Sequence, residues 1–187
     1  MADLSNARVA VLATDNFEEV ELTEPVQAFK DAGARVDVIA PHGEKIQAMQ
    51  HDKKSIRVPV DRTLDEARPD EYDAVVLPGG AMNADFLRVD EQAQRFVRAM
   101  DEAGKTVAAI CHAPWLLVSA GLTKDKTLTS YPTLRDDIVN AGGSWVDEEV
   151  VVDSNWVTSR KPDDLPAFNR EAMAMLERAT ASAGSRA

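Results

Sequence analysis

Cys111 is the only cysteine among 187 residues, and His112 follows it directly. Together these types can form a nucleophile beside an acid or base: a thiolate attacks electrophilic carbon, and an imidazole titrates near neutrality. The surrounding stretch reads TVAAICHAPWLLVSAG, Thr106 to Gly121. Val107 to Ile110 reads as a buried strand, and Trp115 to Ala120, closing on Gly121, reads as a short helix. The thiol therefore falls at a strand-to-helix turn, with the small Ala109 and Ala113 two residues to either side. That is the layout of a nucleophile elbow, where the helix N-terminus would favour thiolate over thiol. The competing reading is a buried small hydrophobe, the commonest role of a free cysteine.

Other residue types bear on the same chemistry. Glu18 and Glu19 fall in a loop, Thr14 to Glu21, where a carboxyl could hydrogen-bond the sulfur or shuttle its proton; solvated support for a following helix explains them equally. Gly79 and Gly80, after Pro78, offer backbone N–H groups unobstructed by side chains, as an oxyanion hole requires, and also suit a plain strand-ending turn. His42 and His51 lie in a segment of weak pattern and read as surface residues. One cysteine and three scattered histidines have no metal-ligand spacing, so no metal site is expected.

The elements that must position these groups alternate. Arg8–Ala13, Arg35–Ala40, Tyr72–Leu77 and Val107–Ile110 read as buried strands. Helices are predicted from near Thr23, because Pro25 fits a first turn, to a stop at Gly33; over Ala84–Val89; from an Asp90 cap to Ala103; around Leu134, Ile138 and Val139; and over Asp164–Ala179. Thr127–Ser130, Trp145–Val146, Val150–Val152 and Trp156–Ser159 read as further strands, and Thr63–Ala67 as one helical turn. Between Pro41 and Arg62, KIQAM and SIRVPV suggest short edge strands. Residues 181–187 read as a disordered tail. The alternation implies an α/β sandwich with a mostly parallel sheet, whose ligands bind at the carboxyl ends of the strands. Cys111, the Gly79-Gly80 turn and the first loop all fall there.

Bulk properties narrow the class. Hydrophobic residues make up 44% and charged residues 28%, as in an ordinary globular chain, and the length suits one domain, 1–187. The net charge of -11 repels phosphate, so stable nucleic-acid binding or attachment to an anionic membrane is not expected. A single thiol suits a reducing cytoplasm, and neither a signal peptide nor a membrane span is apparent.

Seven ordered segments, DNFEEVEL, LPGG, AAICHAP, SAGL, DDIVNAGG, EVVVDSNWVTSR and PDDLPAFNREAM, together resemble the PfpI-type branch of the ThiJ/PfpI superfamily. The resemblance implies a flavodoxin-like three-layer sandwich, related to class I glutamine amidotransferase domains, with the cysteine on a strained elbow. It implies Cys111 as nucleophile, Glu18 as its hydrogen-bonding carboxyl, and His112 as its neighbouring acid or base. It further implies Asp85, supplied by a neighbouring subunit, as the group completing His112, and backbone N–H groups of Gly80 and His112 as the oxyanion hole. Trp115 is bulky and would narrow or lid the pocket. The implied activity is a cofactor-independent, glyoxalase- or deglycase-like conversion of small carbonyl compounds or glycated protein in a stress response. An oxidation-sensing protein or chaperone and an intracellular cysteine peptidase are the alternatives. A homodimer is implied, or a hexamer.

Overall fold

A computed structural model describes residues 2–184. The chain opens with β1 (Arg8–Leu12), β2 (Phe17–Glu18), α1 (Glu19–Asp31) and β3 (Arg35–Ala40), followed by the hairpin β4 (Lys45–Gln50) and β5 (Lys53–Pro59) and by β6 (Arg62–Thr63). Next come β7 (Ala74–Leu77), α2 (Ala81–Arg88), α3 (Glu91–Glu102), β8 (Thr106–Ile110) and α4 (Pro114–Ser119). The last part holds β9 (Thr127–Leu128), α5 (Arg135–Asn140), β10 (Ser144–Trp145), β11 (Val150–Asp153), β12 (Trp156–Ser159) and α6 (Leu165–Gly184).

The central sheet has the order β11-β12-β8-β7-β1-β3-β6 and is parallel except for β11 against β12. Both faces are covered, which is why the strands are apolar throughout rather than alternating. Val9 and Val11 of β1 pack into one cluster with Phe29 of α1 and Phe168 of α6. Ala10 and Leu12 pack into the other, with Phe96, Val97 and Met100 of α3 and Leu117 of α4. This is the three-layer, flavodoxin-like sandwich. The chain builds outward from β1 in two directions, through β3 on one side and β7, β8 and β12 on the other. The resulting switch point opens a crevice at the carboxyl edge. Asp90 caps α3 as expected, its carboxylate accepting from the N–H groups of Gln92 and Ala93, a contact worth about 1 kcal/mol.

Several boundaries differ from the pattern. α1 begins at Glu19, not near Thr23, so Pro25 stands inside it. The proline has no N–H, and the Glu21 carbonyl one turn earlier loses its helical donor. Burial decides the outcome, because Glu21, Leu22, Pro25 and Phe29 form the inward face of the helix. KIQAM and SIRVPV do form strands, but with β2 they make a separate three-stranded sheet, order β2-β4-β5, above the crevice. α2 starts at Ala81, directly after the Gly79-Gly80 turn, rather than at Ala84. Arg62–Thr63 is an edge strand, and the Glu66 and Ala67 N–H groups then close one turn onto the Thr63 carbonyl over the span expected to make a helical turn. The Thr127 strand stops at Leu128. α6 continues to Gly184, so 181–184 are helical rather than a tail, and 185–187 lie outside the described residues. Among the described residues no helix is long and apolar enough to cross a membrane.

Candidate active site

Cys111 adopts φ +63°, a left-handed conformation that costs a non-glycine residue about 1–2 kcal/mol. Its backbone is held from both sides. Its N–H donates to the Ser159 carbonyl of β12 at 3.0 Å, and its carbonyl accepts from the Tyr131 N–H at 2.8 Å. The turn throws the side chain toward the crevice, where it is 7% exposed. The backbone N–H groups of Gly80 and His112 point at the sulfur. Both favour negative charge on Sγ.

The carboxyl beside the sulfur belongs to Glu21, not to Glu18. Placing Glu18 there assumed that the loop ran through Glu21. Instead the helix starts at Glu19, Glu18 is its N-terminal flanking residue in extended conformation, and the first turn carries Glu21 inward. Glu21 is fully buried. Its Oε2 accepts the Gly79 N–H at 2.8 Å, its Oε1 is buried without a hydrogen-bond partner, and the Cys111 thiol interacts with the carboxyl. Gly79 is thereby removed from the expected oxyanion hole, since its amide is already engaged. It has a steric role instead: a Cβ at Gly79 would stand 2.6 Å from Cβ of Cys111. Gly80, at φ +90°, passes so close to the first loop that a Cβ would meet the Asn16 carbonyl oxygen at 2.6 Å.

Burial raises the Glu21 carboxyl to about 8, against the opposing pull of the Gly79 N–H. Burial, and then the Glu21 charge, also push the Cys111 thiol upward, while the Gly80 and His112 N–H groups work the other way. The helix N-terminus expected to lower the thiol is thus outweighed; α4 has only six residues. The two groups are coupled: the first proton leaves near 8, chiefly from Glu21, which leaves a carboxylate beside a neutral thiol.

His112 Nδ1 lies 3.1 Å from Sγ of Cys111. Its ring is stacked on Tyr131 with centroids 4.5 Å apart and meets the edge of Trp115 at 5.5 Å. Burial lowers its pKa, favouring neutral imidazole. Trp115 does not lid the pocket as expected. It packs behind His112, donating Nε1–H to Asp137 Oδ2 at 2.8 Å, with the Arg88 guanidinium over its other side.

The thiol opens into a cavity of about 480 Å³ lined also by Glu18, Met49, His51, Met82, Tyr131 and Lys161. His51 is exposed, as expected of a surface residue, and also lines this cavity; its N–H donates to Glu18 Oε2 at 3.1 Å. His42 is half-exposed and pairs with Asp15. Asp85 is exposed on α2 and does not line the cavity of its own chain. Asn83 carried no signal in the spacing, yet it is fully buried and organises the loops. It accepts the Thr14 N–H at 2.7 Å and donates to the carbonyls of Pro78 and Gly79 at 3.0 and 2.9 Å.

A parallel α/β sandwich displaying a left-handed cysteine at a strand-to-helix elbow, with a buried glutamate against it, defines a class of cysteine proteins. Within that class the chain belongs to the DJ-1/PfpI family, whose pattern matches residues 7–175. It is 44% identical to deglycase PfpI of Pyrococcus furiosus over 170 residues, covering 91% of this chain and 99% of that one. It is likewise 44% identical to protein/nucleic acid deglycase 2 of Escherichia coli, covering 90% and 97%. Among solved structures, DJ-1beta of Drosophila melanogaster superposes with a TM-score of 0.82 at 27% identity, covering 97% of each chain.

Proposed function

We propose that this protein is a cofactor-independent, cysteine-dependent enzyme of carbonyl-stress defence. It converts 2-oxoaldehydes to 2-hydroxy acids and releases amines from their early adducts. The observation that carries this reading is the pairing of Cys111 with Glu21 and His112 at the base of a cavity that admits a small molecule or one adducted side chain.

Glu21 takes the thiol proton as Sγ bonds to the aldehyde carbon, giving a hemithioacetal whose oxygen faces the Gly80 and His112 N–H groups. With an amine adduct, the same attack forms C–S, breaks C–N, and the departing nitrogen takes a proton. Neutral His112 then removes the proton on the first carbon and returns it to the second. The first carbon is oxidised to a thioester and the adjacent carbonyl reduced to a hydroxyl, so no external oxidant is needed. Water cleaves the thioester, restoring the thiol.

A homodimer is part of the proposal. Met82, Phe86 and Val89 expose an apolar stripe on α2 around Asp85, so a second copy on this face would bring Asp85 toward the neighbouring site. A single free thiol suits a reducing cytoplasm. A second use of the sulfur is supported by Glu21: its protonated carboxyl could hydrogen-bond a sulfinate formed by peroxide. The decisive experiment follows methylglyoxal by NMR with reduced protein. Lactate should accumulate with the wild type and not with Cys111→Ser; turnover unchanged by that substitution would defeat the enzyme reading. Two oxygens added to Cys111 by peroxide without any turnover would favour the sensor.

A further inference from the structure

We infer that Glu18 selects the substrate: it draws cationic adducts, above all arginine-derived ones, into the cavity and disfavours phosphorylated nucleotide adducts. This rests on the carbonyl chemistry proposed for the same cavity and adds a residue that decides which adducts enter it.

The Glu18 carboxylate is fixed by a backbone donor, the His51 N–H, rather than by a cation. Among the described residues no lysine or arginine forms an ion pair with it, so its charge is not neutralised. It lies on the cavity wall, displayed by the short β2 strand, which pairs with Met49 of β4. Of the other charged groups facing the cavity, Lys161 is the adverse one, but its Nζ is 3.3 Å from Asp163, a carboxylate on the same wall. Those two cancel. Glu21 is mostly neutral below about 8, and His112 is neutral by burial. Glu18 is left as the uncompensated charge of the cavity, on a chain whose net charge is -11. That field attracts cations and repels phosphate.

The chemistry favours arginine in particular. An arginine adduct of a 2-oxoaldehyde keeps its positive charge, and the planar guanidinium offers parallel donors that match a carboxylate. With the guanidinium on Glu18, the adducted carbon would extend toward Sγ. A nucleotide adduct brings one or more negative charges past Glu18.

The test compares methylglyoxal adducts of N-acetylarginine amide and of guanosine monophosphate as substrates of wild type, Glu18→Gln and Glu18→Asp. Wild-type kcat/KM should favour the arginine adduct by about tenfold or more at low salt, and the preference should shrink as salt is raised. Glu18→Gln should collapse that ratio toward one, chiefly by raising KM for the arginine adduct, and Glu18→Asp should restore part of it. Equal wild-type efficiencies, or a Glu18→Gln loss of equal size on both substrates, would overturn the inference. Binding of unmodified N-acetylarginine amide, followed by NMR titration, separates it from the catalytic proposal. Binding by the wild type but not by Glu18→Gln upholds the selectivity even without turnover. Turnover of both adducts without a charge preference leaves the enzyme standing and removes the role of Glu18.

Discussion

Glu21 and Cys111 face each other in one buried space, the carboxyl tied to the Gly79 N–H at 2.8 Å and the sulfur aligned with the Gly80 and His112 N–H groups. Neither group has its ordinary proton affinity: burial raises both, the Glu21 charge raises the thiol further, and the thiol's hydrogen bond pulls the carboxyl part of the way back. The pair therefore behaves as one acid that loses its first proton near 8.

The first consequence is kinetic. Attack by sulfur requires the singly deprotonated pair, so kcat/KM for methylglyoxal should rise through pH about 8 and level off above it. In Glu21→Gln the limb near 8 should disappear and the rate at pH 7 should drop about tenfold or more, the range for loss of a positioned proton acceptor. A pH–rate profile of both proteins checks this; an unchanged limb in the variant would reassign the titration.

Stability has its own pH dependence. The folded Glu21 pKa, about 8, lies above its ordinary 4.5, so the folded state binds the extra proton between those values. Stability should accordingly fall as pH rises from 4.5 to 8, by an amount on the order of several kcal/mol for this buried group. Asp153 and Glu71 are lowered by their hydrogen bonds and so act below that window. Urea unfolding across pH 5–8 should show the decline in the wild type and a flatter profile in Glu21→Gln.

Asn83→Ala should destabilise the fold by about 2–4 kcal/mol, because it strands the buried Thr14 N–H and the Pro78 carbonyl, while the Gly79 carbonyl keeps the Glu18 N–H. Thermal melting measures the loss. The Gly79-Gly80 loop should loosen before the core does, giving faster amide exchange at Gly79 in the variant.

Trp115→Phe removes the hydrogen bond to Asp137 while keeping an aromatic edge for His112. We expect kcat to fall several-fold with KM nearly unchanged, since Trp115 is absent from the cavity wall. Asp137→Asn alone, which keeps an acceptor for the Trp115 N–H, should retain most of the wild-type rate. A rise in KM alone would mean that the ring reaches substrate after all.

The parallel sheet was legible because continuous apolar strands separated by helical segments leave few alternatives, and the carboxyl edge then fixed where a site must be. Cys111 and His112 were legible for the same reason. Glu21 was not: choosing among Glu18, Glu19 and Glu21 depends on where α1 begins, and Pro25 argued for a later start than burial allows. Asn83 was invisible because its role exists only once three loops converge. Trp115 was noticed but misplaced, since bulk alone does not say on which side of His112 a ring will pack.

The left-handed backbone at Cys111 has an evolutionary reading as well. Glycine is the residue this turn would choose on conformational grounds, and a change to glycine here should leave the protein as heat-resistant as before, or more so, while abolishing its chemistry. Selection for robustness and selection for the thiol thus pull in opposite directions at one position. A screen scored on folding alone would drift toward an inert protein.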